Sequence, residues 1–258
     1  MLEINRIYNM DCLEGMKNIN DKSIDLILCD LPYGTTASKW DKVISFTKLW
    51  SEYMRIIKDE GVIALTANAS FTNKLINSNE KYYKYKWIWI KNTKTNFVNA
   101  KNRPLTQYEE ILIFSKGNTA NGSKIKMNYY PQGIIRVDKV MKAGKNRFGT
   151  VAGVRPSHKS EFIREYTNYP SDVLYFNKDK TNLHPNQKPL ELFEYLVKTY
   201  TKENNIVLDN CIGSGTTAVA CINTDRNYIG FEIEKKYYDI AEKRIRESLE
   251  EKEKLKCQ

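Results

Sequence analysis

Two short clusters in this chain combine residue types that can do chemistry. The first is Asp30-Leu31-Pro32-Tyr33, which follows the apolar run Ile24-Asp25-Leu26-Ile27-Leu28-Cys29. It sets a carboxylate, a backbone carbonyl and an aromatic face at the end of a predicted strand, and open α/β sheets bind ligands at the carboxyl ends of their strands. Two acceptors beside a stacking ring suit a planar group that carries an exocyclic amine. The same four residues also suit an ordinary strand-to-loop exit, so the tetrapeptide alone leaves both readings open. The second cluster is Asp209-Asn210-Cys211-Ile212-Gly213-Ser214-Gly215-Thr216-Thr217. Its glycines let the backbone approach a ligand closely. Glu232 ends the next predicted strand, 17 residues past Gly215. That spacing suits a carboxylate accepting hydrogen bonds from ribose hydroxyls. Strand, glycine turn, helix and acid together point to a nucleoside-containing cofactor. A dinucleotide such as NAD stays open, because Ala218 at the third glycine position is a tolerated replacement.

Both clusters need a sheet to carry them. The N-terminal part predicts strands over 23–29, 61–66, 85–90 and 110–114, with helices over 46–58 and 70–77. The helical spacing is plainest in Phe46, Leu49, Trp50, Tyr53, Met54 and Ile57. The C-terminal part predicts helices over 190–200, 216–223 and 235 to about 254, and strands over 205–209 and 227–231. Pro189 opens the first of these helices. Strands alternating with helices predict an α/β fold, a Rossmann-like and mostly parallel sheet with helices on both faces. Residues 117–170 keep neither period and scatter glycine and proline, so the expected organisation is 1–116 and 173–258 as two halves of one domain around a loop-rich insertion at 117–172.

The 258 residues carry a net charge of +10, unevenly spread. Residues 81–170 hold 18 Lys or Arg against 5 Asp or Glu, which leaves the rest slightly acidic. Aromatics such as Tyr82, Trp87, Phe97, Tyr129 and Phe148 lie among these cations. A basic field interleaved with aromatics attracts a polyanion, most commonly nucleic acid, although a solvated lysine-rich face reads the same way. Arg103, Arg136, Arg147 and Arg155 are the candidates there for base-edge contacts to nucleic acid, with a phosphate contact or a plain surface charge as the alternative for each. The five cysteines form no C-x-x-C pair, and the only histidines are His158 and His184, so neither a disulfide framework nor a metal site is expected. Cys29 and Cys221 fall in apolar patterns and are expected to pack. No apolar run reaches membrane-spanning length and the N-terminus lacks signal-peptide order, so a cytoplasmic protein with no membrane partner is expected.

Taken together and in this order, the two clusters resemble the amino-group DNA methyltransferases that use S-adenosylmethionine. The order is that of the beta group, with the catalytic motif first, target recognition in the middle and the cofactor turn last. The resemblance implies a class I methyltransferase fold with permuted motif order, and the insertion as the target-recognition region. It implies Asp30, Leu31, Pro32 and Tyr33 as the catalytic set. Asn9-Met10-Asp11-Cys12 is similar to the early cofactor motif, with Asp11 and Cys12 at the adenosine end. Asp209, Cys211, Gly213, Ser214, Gly215 and Thr216 match the cofactor loop, and Glu232 the ribose acid. His184-Pro185-Asn186-Gln187-Lys188-Pro189 resembles the segment lining the methionine pocket, with Lys188 in it. The family most often has Asp-Pro-Pro-Tyr or Ser-Pro-Pro-Tyr. Leu31 supplies the same carbonyl but not proline's fixed φ, which bears on rigidity rather than chemistry. Asp in the first position leans toward adenine N6 over cytosine N4. The substrate implied is double-stranded DNA with the target base flipped out. A homodimer and a cognate restriction endonuclease are further partners the resemblance allows.

Other readings are an RNA base methyltransferase, a protein-glutamine methyltransferase and a DNA-binding protein with a degenerate site. Phosphate-binding lysines do not separate RNA from DNA. Asp30 disfavours the glutamine enzymes, which carry Asn first, and the intact pairing of Asp30-Tyr33 with Gly213-Gly215 disfavours a degenerate site.

Overall fold

The computed structural model describes residues 2–36, 38, 41–142, 161–179, 183 and 186–256. Among these residues ten strands and six α-helices follow one another as β1 (Arg6–Asn9), α1 (Cys12–Met16), β2 (Ile24–Cys29), α2 (Phe46–Ile56), β3 (Ile57–Ala67), α3 (Ala69–Ser78), β4 (Tyr83–Thr95), β5 (Thr106–Phe114), β6 (Ile135–Lys142), β7 (Glu161–Thr167), β8 (Val173–Tyr175), α4 (Leu190–Tyr200), β9 (Ile206–Asp209), α5 (Thr216–Asn223), β10 (Asn227–Glu232) and α6 (Lys235–Lys256). The chain divides into two compact units, 131–171 and the remainder.

The larger unit is built on an eight-stranded sheet in the order β1-β10-β9-β2-β3-β5-β4-β8. All neighbours pair in parallel except β5, which runs antiparallel to both β3 and β4. Every residue of β2 is buried, because helices cover both faces of the sheet. Its side chains divide by pleat. Leu26 and Leu28 join a core with Phe193, Leu196, Ala218 and Ile245 from α4, α5 and α6. Ile27 and Cys29 join a second core with Met16, Tyr53 and Phe71 from α1, α2 and α3. Helices therefore lie on both faces, as the alternating pattern predicted, with α1, α2 and α3 on one and α4, α5 and α6 on the other.

Chain direction across the sheet reverses at the β9–β2 pair. From β2 the next strand lies to one side, and from β9 it lies to the other. A crevice opens at such a switch point, outside the carboxyl ends of the two strands. Asp30 follows β2 and Asp209 ends β9, so the fold brings the two sequence clusters to this one place.

Four sequence expectations change. α2 stops at Ile56 and β3 begins directly at Ile57, because Ile57 pairs with Ile24 of β2 ahead of a bulge. The elements β1, α1 and β8 span only three to five residues and carry too little periodicity to be read. The insertion is not loop-rich throughout. β6 and β7 pair antiparallel within the 131–171 unit, and both are exposed along most of their length, so no apolar alternation was needed to form them. Finally, residues 117–130 belong with the larger unit rather than with the insertion. Met127 is buried there, and the Asn128 and Tyr130 amides donate to the carbonyls of Glu60 and Thr199 at 2.8 and 2.7 Å.

Candidate active site

A cavity of ≈ 570 Å³ occupies the crevice beyond β2 and β9. It falls in the size range of small-molecule sites, about 300–1,000 Å³. Asp11, Cys12, Asp30, Leu31, Pro32, Lys188, Asp209, Cys211, Gly213, Ser214, Thr216 and Glu232 all line it. Gly215 caps α5 directly behind this wall.

On the β2 side the Asp30 carboxylate is held by three donors. Lys188 Nζ lies 2.8 Å from Oδ2, and Tyr33 donates its hydroxyl to Oδ1 at 2.8 Å. Thr66, at the end of β3, also donates to Oδ1. The Tyr33 ring packs on Phe71 with centroids 4.7 Å apart. Burial, then the charges of Asp30 and Glu109, push the Tyr33 hydroxyl well above its ordinary pKa, so it stays a donor at every relevant pH. Leu31 is 4% exposed and packs in the α1–α3 core. Its buried side chain anchors the loop. Asp41 fixes the next turn by accepting from the Gly34, Thr35 and Thr36 amides at 2.8, 2.9 and 2.6 Å. Burial pushes the Asp41 carboxyl up, but those donors outweigh it and leave it below the usual range.

Behind Asp30 runs a chain of alternating charges that the sequence did not reveal. Lys188 also lies 3.2 Å from Glu109 on β5, and Glu109 lies 3.1 Å from Lys91 on β4. Burial pushes the Glu109 carboxyl up, yet Lys188 and Lys91 outweigh it and hold it below the ordinary carboxylate range. Burial likewise lowers Lys188, but Asp30 and Glu109 raise it further, so it remains an ammonium. The network joins β4, β5 and the connections that hold Asp30 and Lys188, and nothing in the sequence around Glu109 pairs these residues.

On the β9 side the turn is built by its own polar groups. Asp209 accepts from the Cys211 amide at 3.0 Å and from the Thr217 hydroxyl. Its carboxyl is pushed up to about 7, chiefly by burial and against those bonds. Gly213 and Gly215 take left-handed φ values of 54° and 85°. A Cβ on Gly215 would stand 3.1 Å from the Ala241 side chain. The left-handed conformation therefore favours glycine there, and a Cβ would also press on Ala241. Glu232 accepts from the Gly213 and Glu234 amides at 2.9 and 2.8 Å, which aims its carboxylate along the cavity wall. Asp11 caps α1 by accepting from the Leu13 and Glu14 amides. Two further supports were not legible in the sequence. Arg244 of α6 donates to the Thr216 hydroxyl at 3.0 Å and to the Ser214 carbonyl at 3.3 Å. Tyr53 of α2 donates to Asn210.

Two of the four arginines lie among the described residues. Arg103 is exposed in the β4–β5 connection. Arg136 lies on β6 of the smaller unit, where its guanidinium pairs with Asp138 at 2.7 Å. Arg147, Arg155, His158 and His184 lie outside the described residues. Cys29 and Cys221 are fully buried packing residues. No group of potential metal ligands occurs among the described residues, and no described helix is long and apolar enough to cross a membrane.

The N6/N4 methyltransferase family model, described as DNA methylase, matches residues 24–243, which include both clusters and everything between them. The chain belongs to this DNA methylase family. It is 29% identical to the type II methyltransferase M.HpaI of Haemophilus parainfluenzae over 93% of its own length and 74% of that protein's. The crystal structure of an M1.HpyAVI–SAM complex aligns with a TM-score of 0.60 and 26% identity, over 93% of this chain and 98% of that one. The cytosine-N4-specific PvuII DNA methyltransferase aligns with a TM-score of 0.62 over 95% and 90% of the two chains, at 15% identity, a likeness of fold. The class I methyltransferase fold and the DNA amino-methyltransferase class follow from these matches.

Proposed function

We propose that this DNA methyltransferase transfers a methyl group from S-adenosylmethionine to the exocyclic N6 of adenine in duplex DNA. The observation that carries the proposal is the Asp30 carboxylate, held by Lys188 at 2.8 Å in the wall of the same cavity that Leu31, Asp209 and Glu232 line. The cavity chemistry fits the cofactor. It offers carboxylates for ribose hydroxyls and a cationic ligand, and a glycine turn at which a Cβ would crowd α6. In this reading Glu232 takes the ribose hydroxyls, Asp11 and Cys12 flank the adenosine end, and the Asp209–Thr216 turn and Lys188 border the remainder. S-adenosylmethionine supplies an electrophilic methyl group when bound.

The protein's own residues do the rest. An exocyclic amine is a poor nucleophile because its lone pair conjugates with the ring. Asp30 and the Leu31 carbonyl accept its two N–H bonds and draw the nitrogen toward tetrahedral geometry. Asp30 then faces the positive charge that grows on nitrogen and takes up the proton the methylated nitrogen sheds, so preorganised electrostatics and positioning supply most of the rate. Tyr33 stacks on the base. The base must leave the duplex to reach this site, at a cost of a few kcal/mol. The basic residues of 81–170, Arg103, Arg136, Arg147 and Arg155 among them, grip phosphates, and the 117–172 region reads the target. Asp30 in the first motif position supports adenine over cytosine. The type II methyltransferase designation of M.HpaI supports a DNA-modification enzyme, and the same reading makes it a cytoplasmic homodimer with a cognate restriction endonuclease.

Mass analysis of nucleosides from DNA incubated with the protein and labelled cofactor tests the base directly. N6-methyladenine is expected, and N4-methylcytosine overturns the choice of base while keeping the class. Asp30→Ala is expected to abolish transfer and leave cofactor affinity within about threefold. A variant that keeps near-normal turnover refutes the role of Asp30.

A further inference from the structure

The β4–β5 connection is a structured tip with an apolar point. Phe97 is 66% exposed and Val98 is 96% exposed, side by side. A loose loop could expose two such residues without purpose, but this one is held in shape. The Asn99 and Ala100 amides donate to the carbonyls of Asn96 and Phe97 at 3.1 Å each, and the Arg103 amide donates to the Asn99 carbonyl at 3.0 Å. The Asn96 side chain, at a left-handed φ of 70°, donates to Thr106 Oγ1 at 2.7 Å and closes the base of the turn. The water-exposed apolar pair is therefore presented on a fixed platform.

Its position follows from the sheet. β4 runs parallel to β2, so its carboxyl end emerges on the edge that carries Asp30. Lys91 on β4 and Glu109 on β5 belong to the charge chain that reaches Asp30 through Lys188. Beyond Lys91 the strand continues through an irregular stretch to Thr95, which pairs with Thr106, three residues along β5 from Glu109, so at about 3.3 Å per residue the tip starts about 10 Å past Glu109. The surroundings are entirely cationic along the chain. No acid occurs between Glu80 and Glu109, while Lys94, Lys101 and Arg103 flank the tip and are exposed.

We propose that Phe97 and Val98 form a wedge that inserts into the DNA base stack at the target site, with Lys94, Lys101 and Arg103 seated on the flanking phosphates. Apolar side chains presented among cations are the means by which proteins part base steps, and a phosphate backbone is the partner that this charge pattern fits. The wedge fills the space the target base leaves and so favours the flipped state. The inference rests on the reading of this chain as a base-flipping DNA methyltransferase.

The test compares methyl transfer to two duplexes that carry the motif mapped by sequencing DNA methylated by the wild-type protein. In one the target base is paired, and in the other it is mispaired and already easy to extrude. The Phe97→Ala/Val98→Ala variant is expected to lose at least tenfold in kcat/KM on the paired duplex. On the mispaired duplex it is expected to return to within threefold of wild type, with cofactor affinity unchanged on both. Loss of a mere phosphate contact, or of general structure, reduces both duplexes alike and overturns the wedge, as does a variant equal to wild type on the paired duplex. Phe97→Trp supplies a second readout, since indole emission should be quenched on duplex binding as the ring stacks on bases. Unchanged emission at saturating duplex also overturns it. A wild-type protein that methylates neither duplex nor any other DNA refutes the methyltransferase reading itself, which is a different result from an active wild type with an unaffected variant.

Discussion

Lys188→Met probes the charge chain behind Asp30 with nearly conserved volume. Lys188 is 8% exposed and neutralises two carboxylates, Asp30 at 2.8 Å and Glu109 at 3.2 Å, whose side chains are 20% and 14% exposed. Removing one partner of a buried ion pair costs about 3–5 kcal/mol, because a charge is left without its counter-ion. On a chain of this size each kcal/mol moves Tm by about 2–4 °C, so a fall of roughly 6–20 °C is expected. The pH dependence carries a sign. Glu109 has its folded carboxyl held below the unfolded range. Its contribution is therefore present above the unfolded pKa of about 4.3 and lost as pH falls through the lower folded value. In the variant Glu109 keeps only Lys91, and burial pushes its carboxyl up. The stability deficit against wild type should thus be largest near pH 7 and shrink as the solution is acidified below about pH 5 and Glu109 accepts a proton. Adding Glu109→Gln to Lys188→Met should recover a large part of the deficit. Urea denaturation across pH 4–8 checks all three statements. A Lys188→Met protein within 1 kcal/mol of wild type at pH 7, or a deficit flat in pH, refutes the assignment of the chain as a buried, charged network.

Three more outcomes follow from the same geometry. Tyr33→Ala should reduce turnover severely by removing both the stacking face and the hydroxyl on Asp30, whereas Tyr33→Phe keeps the ring and should lose only about 0.5–1.5 kcal/mol of stability, read by the same denaturation assay. Gly215→Ala forces a left-handed φ and a close Ala241 contact, so it should cost at least about 1–2 kcal/mol and weaken cofactor affinity in calorimetric titration, and an unchanged affinity would count against the turn as cofactor wall. Asp209, with its carboxyl pushed up to about 7, binds its proton more tightly folded than unfolded. Stability that is complete below about pH 3.9 is therefore lost as pH rises toward 7, and Asp209→Asn should flatten that part of the stability–pH curve relative to wild type.

The local character of this protein was legible in its sequence. Continuous apolar runs such as Ile24–Cys29 announced strands covered on both faces, Phe46–Ile56 announced a helix by its spacing, and Gly213 and Gly215 announced a turn that only glycine can make. These features depend on neighbours a few residues away, so one-dimensional patterns hold them. The short β1, α1 and β8 and the exposed β6–β7 pair escaped, because pairing partners rather than periodicity sustain them.

The site itself divides the same way. Asp30, Tyr33, Asp209 and Glu232 declare themselves by type and position in the sequence. That Asp30 and Asp209, 179 residues apart, share one crevice is decided by the strand order, which sets β9 beside β2. The ion chain Lys91–Glu109–Lys188–Asp30 is likewise a product of the tertiary fold, since its members come from β4, β5, the segment before α4 and the end of β2. A charge in sequence shows only that it must find a partner when buried. Which partner it finds depends on distances that the packed sheet alone fixes.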